Sequence, residues 1–254
     1  MDTDQQTPSM VHGLHAVRHL VENRANEIDK VLIDHEVSEG ELFELMKYCR
    51  KIRINYQLVP ARRLAELAPD VRHQGVIALC ASKAYDTSES MFEKIGAMKN
   101  PILLVPASIE DPRNLGAIIR SSVAFGVAGI LLERKNTVVL SDTVARTSAG
   151  MLEHISIIKP RSLEAVVTQL REQGFAVIAA CSAGGTPVHE CDLKGPIVLI
   201  VGGEHKDIPP YLLKLCTGRA TIPMAAQPSS LNVSVATAIM LYESNRQRVS
   251  AVQE

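Results

Sequence analysis

The stretch Pro101-Ile102-Leu103-Leu104-Val105-Pro106 is a short, continuous run of apolar residues bounded by two prolines. Such a run predicts a parallel β-strand buried on both faces, because a strand with one solvated face would alternate apolar and polar residues. Ile197-Val198-Leu199-Ile200-Val201 reads as a second buried strand. The two segments predict a buried parallel sheet at the core of the C-terminal part of the chain.

Outward from this run, predicted strands alternate with predicted helices. Further strands are expected at residues 129–132, 155–158, 176–180 and 220–222, and helices at residues 113–125, 142–152, 163–172 and 231–247. This alternation predicts a parallel sheet that is covered by helices on both faces.

The N-terminal part predicts a smaller unit of the same class. Helices are expected at residues 11–23, 41–51 and 62–68, and strands at 28–33, 54–59 and 75–81. Residues 83–99 carry six charges and no comparable apolar stripe, so they are predicted to be a linker with at most a helical turn near residues 91–95. The predicted domains are therefore residues 10–82 and 100–250, both α/β.

Composition limits the class of protein. The 254 residues allow one large domain or two modest ones, and 46% hydrophobic with 22% charged residues is typical of globular proteins. A net charge of −1 excludes a globally basic nucleic-acid coat but not a local basic patch. The chain shows no membrane-length apolar run and no signal-peptide pattern, so a cytoplasmic, soluble protein is expected.

Several common kinds of site are not indicated. The five cysteines form no Cys-x-x-Cys pair, and His189-Glu190-Cys191 lacks the further ligands that zinc needs, so no metal is predicted. The signatures of phosphate loops, dinucleotide-binding folds, serine hydrolases and zinc proteases are missing. Any enzymatic activity must depend on another arrangement of residues.

The first of three polar loops follows the 101–106 run. Asp111 suits a helix N-cap and Pro112 suits the first helical position. Arg113 and Arg120 stand seven residues apart, so they share a helix face near an N-terminus that favours an anion. On these residues alone, a capped surface helix with solvated arginines explains the pattern equally well.

The other two loops also follow predicted strands. In Val201-Gly202-Gly203-Glu204-His205, two glycines allow a ligand to approach the backbone closely, although a tight turn explains them nearly as well. Ile222-Pro223-Met224 is followed by Ser229-Ser230-Leu231-Asn232-Val233-Ser234-Val235-Ala236. Ser229, Ser230, Asn232 and Ser234 exceed what one helix end needs for capping.

Taken together and in this order, the three loops resemble the motifs of SPOUT methyltransferases, specifically the SpoU (TrmH) branch of RNA 2′-O-ribose methyltransferases. Asn114-Leu115-Gly116-Ala117-Ile118-Ile119-Arg120 resembles the first motif and Gly202-Gly203-Glu204 the second. Ile222-Pro223-Met224 with Ser230-Leu231-Asn232-Val233-Ser234-Val235-Ala236 resembles the third. Ser148-Ala149-Gly150 with Glu153-His154 also resembles a stretch common in that family.

The N-terminal part resembles a second element of such enzymes. Val11-His12-Gly13-Leu14-His15-Ala16-Val17 and His73-Gln74-Gly75-Val76-Ile77-Ala78 are similar to the substrate-binding domain of bacterial enzymes that methylate a guanosine ribose in large-subunit ribosomal RNA. The resemblance implies a small α/β RNA-binding domain preceding a C-terminal parallel-sheet SPOUT domain with a deep trefoil knot. It also implies a homodimer, S-adenosylmethionine as methyl donor, and ribosomal RNA in preference to transfer RNA.

The resemblance assigns roles to particular positions. It implies that Arg120 lies next to the reacting 2′-hydroxyl and its phosphate, and that the site is shaped by Asn114, Glu204, Ser230 and Asn232. It implies that the donor is held by Val201, Gly202, Gly203, Ile222, Met224 and Leu231. Lowering the pKa of an arginine enough to make it a general base costs roughly 7 kcal/mol. We therefore expect Arg120 to hold the phosphate and to favour loss of the hydroxyl proton electrostatically.

Local charge agrees with an RNA substrate. Residues 47–73 contain seven Lys or Arg against two acids, and such groups position RNA through its phosphates. Tyr48 and Tyr56 are candidates for stacking on bases, whereas the alternative is a solvated basic face with core tyrosines. The RNA-binding candidates are Lys47, Arg50, Lys51, Arg53, Arg62 and Arg63, together with Arg113.

The sequence departs from the family pattern in two loops. His205, Asp207 and Ala226 stand where the family commonly has glycine, and Pro228 stiffens the next turn. These changes put donor affinity in question. The alternatives to an active methyltransferase are an RNA-binding protein that has lost useful donor binding and an unrelated α/β metabolic enzyme.

Overall fold

The computed structural model describes residues 10–69, 71–134, 137–203, 207–225 and 230–250. The chain forms two compact units, one comprising Met1–Tyr85 with Val139–Asp142 and the other Asp86–Val138 with Thr143–Glu254. Within the described ranges, no helix is both long and apolar enough to cross a membrane.

The first unit contains a four-stranded sheet of order β1-β4-β2-β3. Its β2 and β3 are parallel, whereas β4 runs antiparallel to both β1 and β2. In chain order, the elements are β1 (Met10–His12), α1 (Leu14–Asn23), β2 (Ile28–Asp34), α2 (Gly40–Ile52), β3 (Tyr56–Val59), α3 (Ala61–Leu67) and β4 (Val76–Cys80).

The two faces of this sheet are covered by different helices. Val31 of β2 packs into a cluster with Leu45 of α2, whereas the next residue, Leu32, packs into a separate cluster with Leu64 of α3. Successive side chains of a strand point to opposite faces. Helices α2 and α3 therefore lie on opposite faces of the sheet.

The predicted helix over residues 11–23 is wrong at its start. Residues Met10–His12 form β1, which pairs antiparallel with β4, and the positive φ of 87° at Gly13 separates it from α1. Val11 fits the helical spacing of the apolar residues that follow. The hydrogen bonds available from β4 in the folded unit favour the extended conformation instead.

The second unit is built on a parallel sheet of order β7-β6-β5-β10-β8-β11-β9. Strands β5 and β10 are adjacent and buried along their whole length, which confirms the two buried parallel strands expected from the sequence. The elements are α4 (Ser88–Gly96), β5 (Ile102–Pro106), α5 (Pro112–Ala124), β6 (Gly129–Leu131), α6 (Asp142–Thr147), β7 (Ser156–Ile158), α7 (Leu163–Glu172), β8 (Ala176–Cys181), β9 (Thr186–Pro187), β10 (Ile197–Val201), α8 (Pro210–Leu213), β11 (Gly218–Thr221) and α9 (Val233–Ser250).

Two segments of the second unit differ from expectation. The predicted linker at 83–99 contains α4, which Thr87 caps and which buries Met91 and Ile95 in the unit's core. In such a short helix, two apolar residues four positions apart are enough to form a buried face. The charged residues outnumber them, so the sequence showed no clear apolar stripe. The predicted helix at 142–152 ends at Thr147, because Ala149 and Gly150 both adopt positive φ, and a 3₁₀ turn follows at Met151–His154.

A glycine allows α5 and α6 to approach closely. A Cβ added to Gly116 would overlap the side chain of Thr147 and lie 3.0 Å from the carbonyl oxygen of Val144. The Thr147 hydroxyl is held in place because it donates to the carbonyl of Thr143 at 2.7 Å. The absence of a side chain at Gly116 therefore fixes how deeply α5 packs.

We predict that Gly116→Ala destabilises the second unit, since the added methyl overpacks this contact. The expected cost is about 1–3 kcal/mol, or a thermal unfolding midpoint lower by about 3–10 °C. Gly96→Ala is the matched control, because a Cβ at Gly96 of α4 meets nothing within 4 Å. Equal midpoints for the two variants would contradict the packing argument.

Candidate active site

Four adjacent strands bring their following loops to one edge of the sheet. Strands β5, β10, β8 and β11 are neighbours and parallel, so their carboxyl ends meet at this edge. The loop after β5 leads to α5, and the loop after β10 begins with Gly202 and Gly203. The loop after β8 contains Ser182, and that after β11 contains Ile222. Three of these four loops are the ones that the sequence analysis singled out.

A cavity of about 460 Å³ lies at this edge and is called the edge cavity below. All six residues predicted to hold the donor line it, namely Val201, Gly202, Gly203, Ile222, Met224 and Leu231, and so does the predicted site residue Ser230. The wall also contains Asp207, Val233 and Ala236, which the sequence singled out without assigning them to the donor. Sequence patterns did not indicate the rest of the wall, which consists of Ala180, Cys181, Ser182, Ala183, Ile208, Leu213 and Met240. The β8 loop carries no motif that could have signalled its contribution.

Close backbone packing shapes the wall beside β10. A Cβ added to Gly202 would lie 3.0 Å from the backbone nitrogen of Ile208 and 3.3 Å from the carbonyl carbon of Asp207. A larger residue at this position would therefore push these backbones apart. Glycine leaves backbone groups exposed toward the cavity, where they can contact a ligand.

Asp207 is the only charged side chain among the described residues that line the edge cavity. It is exposed to solvent at the rim. Burial raises the pKa of the neighbouring Cys181 thiol, the positive charge of Arg219 opposes this rise and the carboxylate of Asp207 adds to it. Cys181 is therefore a neutral part of the wall at pH 7. The described wall thus offers a ligand apolar surface and one carboxylate.

Asn232 and Asn114 join the first and third loops. The side-chain oxygen of Asn232 accepts hydrogen bonds from the backbone nitrogen of Ser234 at 2.9 Å and from its hydroxyl at 2.6 Å, which caps α9. The amide nitrogen of Asn232 donates to the side-chain oxygen of Asn114, on α5, at 3.1 Å. These two predicted site residues are thus in direct contact at the N-terminal ends of α5 and α9.

Arg120 lies further along α5 than Asn114. It is exposed on α5 and does not line the edge cavity. Within the described parts of the chain, its guanidinium has no hydrogen bond or ion pair to another residue, and Arg113 is likewise exposed. The predicted site residue Glu204 lies outside the described residues, as do His205, Ala226, Pro228 and Ser229.

The predicted RNA-binding residues of the first unit are all exposed, but they do not form one surface. Those at residues 47–53 lie on or directly after α2, whereas Arg62 and Arg63 lie on α3, across the sheet. Glu66 pairs with Arg62 at 2.9 Å and with Arg63 at 3.4 Å. These basic residues are close together in sequence, which suggested a single basic patch. In the structure they lie on opposite faces of the sheet and form two separate patches.

The two tyrosines considered for base stacking also differ. Tyr48 is 38% exposed, whereas Tyr56 is packed against the core under α2.

The described residues contain no cluster of three or more His, Cys, Asp and Glu side chains that could hold a metal ion.

Comparison with known proteins identifies related sequences over nearly the whole chain. Residues 101–242 match the family model described as the SpoU rRNA Methylase family, and residues 10–86 match that for RNA 2′-O ribose methyltransferase substrate binding. The 23S rRNA (guanosine-2′-O-)-methyltransferase RlmB of Xanthomonas axonopodis pv. citri is 32% identical over 94% of this chain and 96% of that protein. A TrmH family tRNA/rRNA methyltransferase of Staphylococcus saprophyticus is 30% identical over 94% of this chain and 96% of its own length.

The fold is also similar to solved structures. The SpoU methyltransferase AviRb of Streptomyces viridochromogenes, crystallised in complex with AdoMet, superposes with a TM-score of 0.58 at 24% identity. The match covers 95% of this chain and 90% of that one.

Proposed function

This chain belongs to the SpoU rRNA methylase family, and we propose that its edge cavity and the surrounding loops transfer a methyl group from S-adenosylmethionine to a ribose 2′-hydroxyl of RNA. The observation that carries this proposal is the convergence of three sequence motifs at one sheet edge. All six positions expected to hold the donor line a single cavity there. Asn114 and Asn232 meet beside its wall residues Leu231 and Val233.

The residues of the edge cavity fit the donor. Its volume of about 460 Å³ is within the usual range for small-molecule sites. The glycines at 202 and 203 offer backbone groups, and Leu231 and Met240 offer apolar contact. When bound, S-adenosylmethionine supplies a methyl group on a positively charged sulfur.

We assign Arg120 to the RNA phosphate rather than to proton transfer. An exposed guanidinium can bind phosphate through two parallel hydrogen bonds. Its positive charge favours loss of the ribose hydroxyl proton by stabilising the oxygen that attacks. Asn114, Asn232, Glu204 and Ser230 are proposed to shape the site around that hydroxyl.

Methyl transfer tests this function directly. Tritiated S-adenosylmethionine should label unmodified large-subunit ribosomal RNA, and Arg120→Ala should lower the rate by about 100-fold or more. Arg120→Lys should remain at least about tenfold slower than the unchanged protein, because lysine lacks the planar fork. Arg171→Ala, which changes an exposed arginine on α7, is the matched control.

Other outcomes of this assay would redirect the proposal. Near-normal turnover by Arg120→Lys would contradict the assigned role of the guanidinium. Label on transfer RNA alone would keep the chemistry and overturn the substrate.

A guanosine of 23S ribosomal RNA is the substrate that we favour. Two observations support it, namely the N-terminal match to a substrate-binding model and relatives that are named as 23S rRNA guanosine methyltransferases. Transfer RNA is the second candidate, since the TrmH family relatives are named for both RNAs. Either substrate is consistent with a cytoplasmic site of action.

The division of the chain is also part of the proposal. We assign RNA binding to residues 10–82 and catalysis to residues 100–250, with a deep trefoil knot in the latter. Similarity of fold to SpoU methyltransferases supports this assignment. Residues 83–99 remain the connection in this proposal, although α4 within them packs into the second unit.

We predict that the charge of Asp207 lets the edge cavity distinguish the donor from S-adenosylhomocysteine, the product that remains after methyl transfer. S-Adenosylmethionine carries one more positive charge than S-adenosylhomocysteine. Asp207→Asn should therefore weaken binding of the donor about two- to fivefold and leave binding of the product nearly unchanged, as expected for a solvent-exposed charge pair. Calorimetry without RNA measures both affinities, and Asp192→Asn, outside the cavity, is the control.

Equal weakening of both ligands would contradict a role for the carboxylate charge. Absence of donor binding in the unchanged protein would favour the alternative function, an RNA-binding protein that no longer uses a donor.

The two basic surfaces of the first unit should contribute unequally to RNA binding. Glu66 partly neutralises Arg62 and Arg63, whereas Arg50 and Lys51 have no ion pair within the described residues. Arg50→Gln with Lys51→Gln should reduce the slope of log affinity against log salt by about 1.4. Arg62→Gln with Arg63→Gln should reduce it by about half as much or less. A larger effect of the α3 pair would contradict this assignment.

We further propose that the protein is a homodimer, and α9 supplies the support for it. Val235, Tyr242 and Val249 recur every seven residues, so they share one helix face, and they are 48%, 56% and 52% exposed. The ring of Phe125 packs edge-on against Tyr242, with ring centroids 6.2 Å apart. Such an exposed apolar stripe is typical of an interface between subunits.

Sedimentation equilibrium tests the dimer. Tyr242→Glu should shift the protein toward monomer, because it introduces a charge into the apolar stripe. Met98→Glu, at an exposed apolar residue outside α9, should leave the mass unchanged. A monomeric unchanged protein, or a Tyr242→Glu variant that still forms dimers, would contradict this interface.

A further inference from the structure

A buried carboxylate connects the loop before α5 with α8. Glu133 follows β6, and its side chain is almost entirely buried, with the residue 8% exposed. One carboxylate oxygen accepts the backbone N–H of Ser108 at 3.0 Å. The other accepts the hydroxyl of Tyr211 at 2.6 Å. A buried carboxylate needs such donors, because burying a charge without partners is costly.

Ser108 is held in an unusual conformation at this contact. It is buried and has a φ of 55°, in the left-handed region that L-residues rarely adopt. Three residues later, Asp111 caps α5, the helix that carries Asn114 and Arg120. The hydrogen bond from Ser108 to Glu133 thus helps to set the path by which the chain enters α5.

Tyr211 connects the same carboxylate to the edge cavity. It belongs to α8, in which Leu213 lines the cavity, and Ile208 and Asp207 of the preceding loop line it as well. Burial and the hydrogen bond to Glu133 both raise the pKa of the Tyr211 hydroxyl, which therefore stays protonated and donates.

We propose that Glu133 is a positioning residue, which fixes the loop before α5 relative to the edge cavity through Ser108 and Tyr211. This inference rests on the proposed function, since it matters for catalysis only if α5 carries residues that act on the RNA. The carboxylate touches neither donor nor RNA in this scheme. It acts by holding the two loops in one relative placement, and a small displacement of reacting groups can cost a large part of the rate.

The test compares turnover with ligand binding. Glu133→Gln keeps the side-chain size but replaces one acceptor oxygen with an amide that cannot accept, and Tyr211→Phe removes only the hydroxyl. We expect kcat to fall about tenfold for Glu133→Gln and about three- to fivefold for Tyr211→Phe, with donor affinity changed less than about threefold. The double variant should be no slower than Glu133→Gln alone, because both changes break one network.

A rescue variant and a matched control separate positioning from simple destabilisation. Glycine adopts a positive φ without strain, so Ser108→Gly should restore much of the kcat lost in Glu133→Gln. Glu172→Gln, at an exposed residue of α7, is the control. Rates are measured well below each variant's unfolding temperature. A lower unfolding temperature with unchanged kcat, or a tenfold loss of donor affinity, would overturn the proposal.

Hydrogen exchange tests the connection without the reaction. In Glu133→Gln and in Tyr211→Phe, the amides of residues 107–111 should exchange faster than in the unchanged protein. Unchanged exchange would overturn the proposal even if the protein methylates RNA. Absence of methyl transfer by the unchanged protein, with faster exchange in the variants, would instead refute the proposed function and leave the structural connection in place.

Discussion

The parallel pairing of β5, β10, β8 and β11 is the constraint on which the rest of the second unit depends. Residues distant in sequence reach the same sheet edge because parallel neighbours end on the same side. The edge cavity is a direct consequence, since its walls come from the ends of β8 and β10, the segments that follow β8, β10 and β11, and α9. Burial of the wholly apolar strands β5 and β10 at the centre of the sheet stabilises this strand order.

Close packing and capping then convert this convergence into a defined site. Gly116 lets α5 approach α6 closely. Gly202 lets the start of the loop after β10 pack closely against Ile208, near the end of the same loop. The cap provided by Asn232 orients α9 and leaves its amide nitrogen for Asn114. Asn232 thus both caps a helix and places its amide against a second predicted site residue.

The far end of α9 is fixed as firmly as its start. Arg248 donates to the carbonyl oxygens of Leu193, Gly195 and Asn100, and Ser244 also donates to that of Leu193. Nearby, Arg246 holds the pKa of Glu243 at about 2, so this carboxylate stays ionised at neutral pH. The contacts of Arg248 and Ser244 tie the last helix to the loop that enters β10.

The sequence by itself determined the two α/β units, most of their helices and strands, and the three loops that follow β5, β10 and β11. It could do so because buried parallel strands, amphipathic helices and caps leave local patterns. Tertiary structure alone decided that Met10–His12 is a strand and that α4 joins a core. It also decided that the basic residues separate onto opposite faces and that Glu133 lies between Ser108 and Tyr211. These outcomes depend on pairing between residues distant along the chain, for which local periodicity contains no signal.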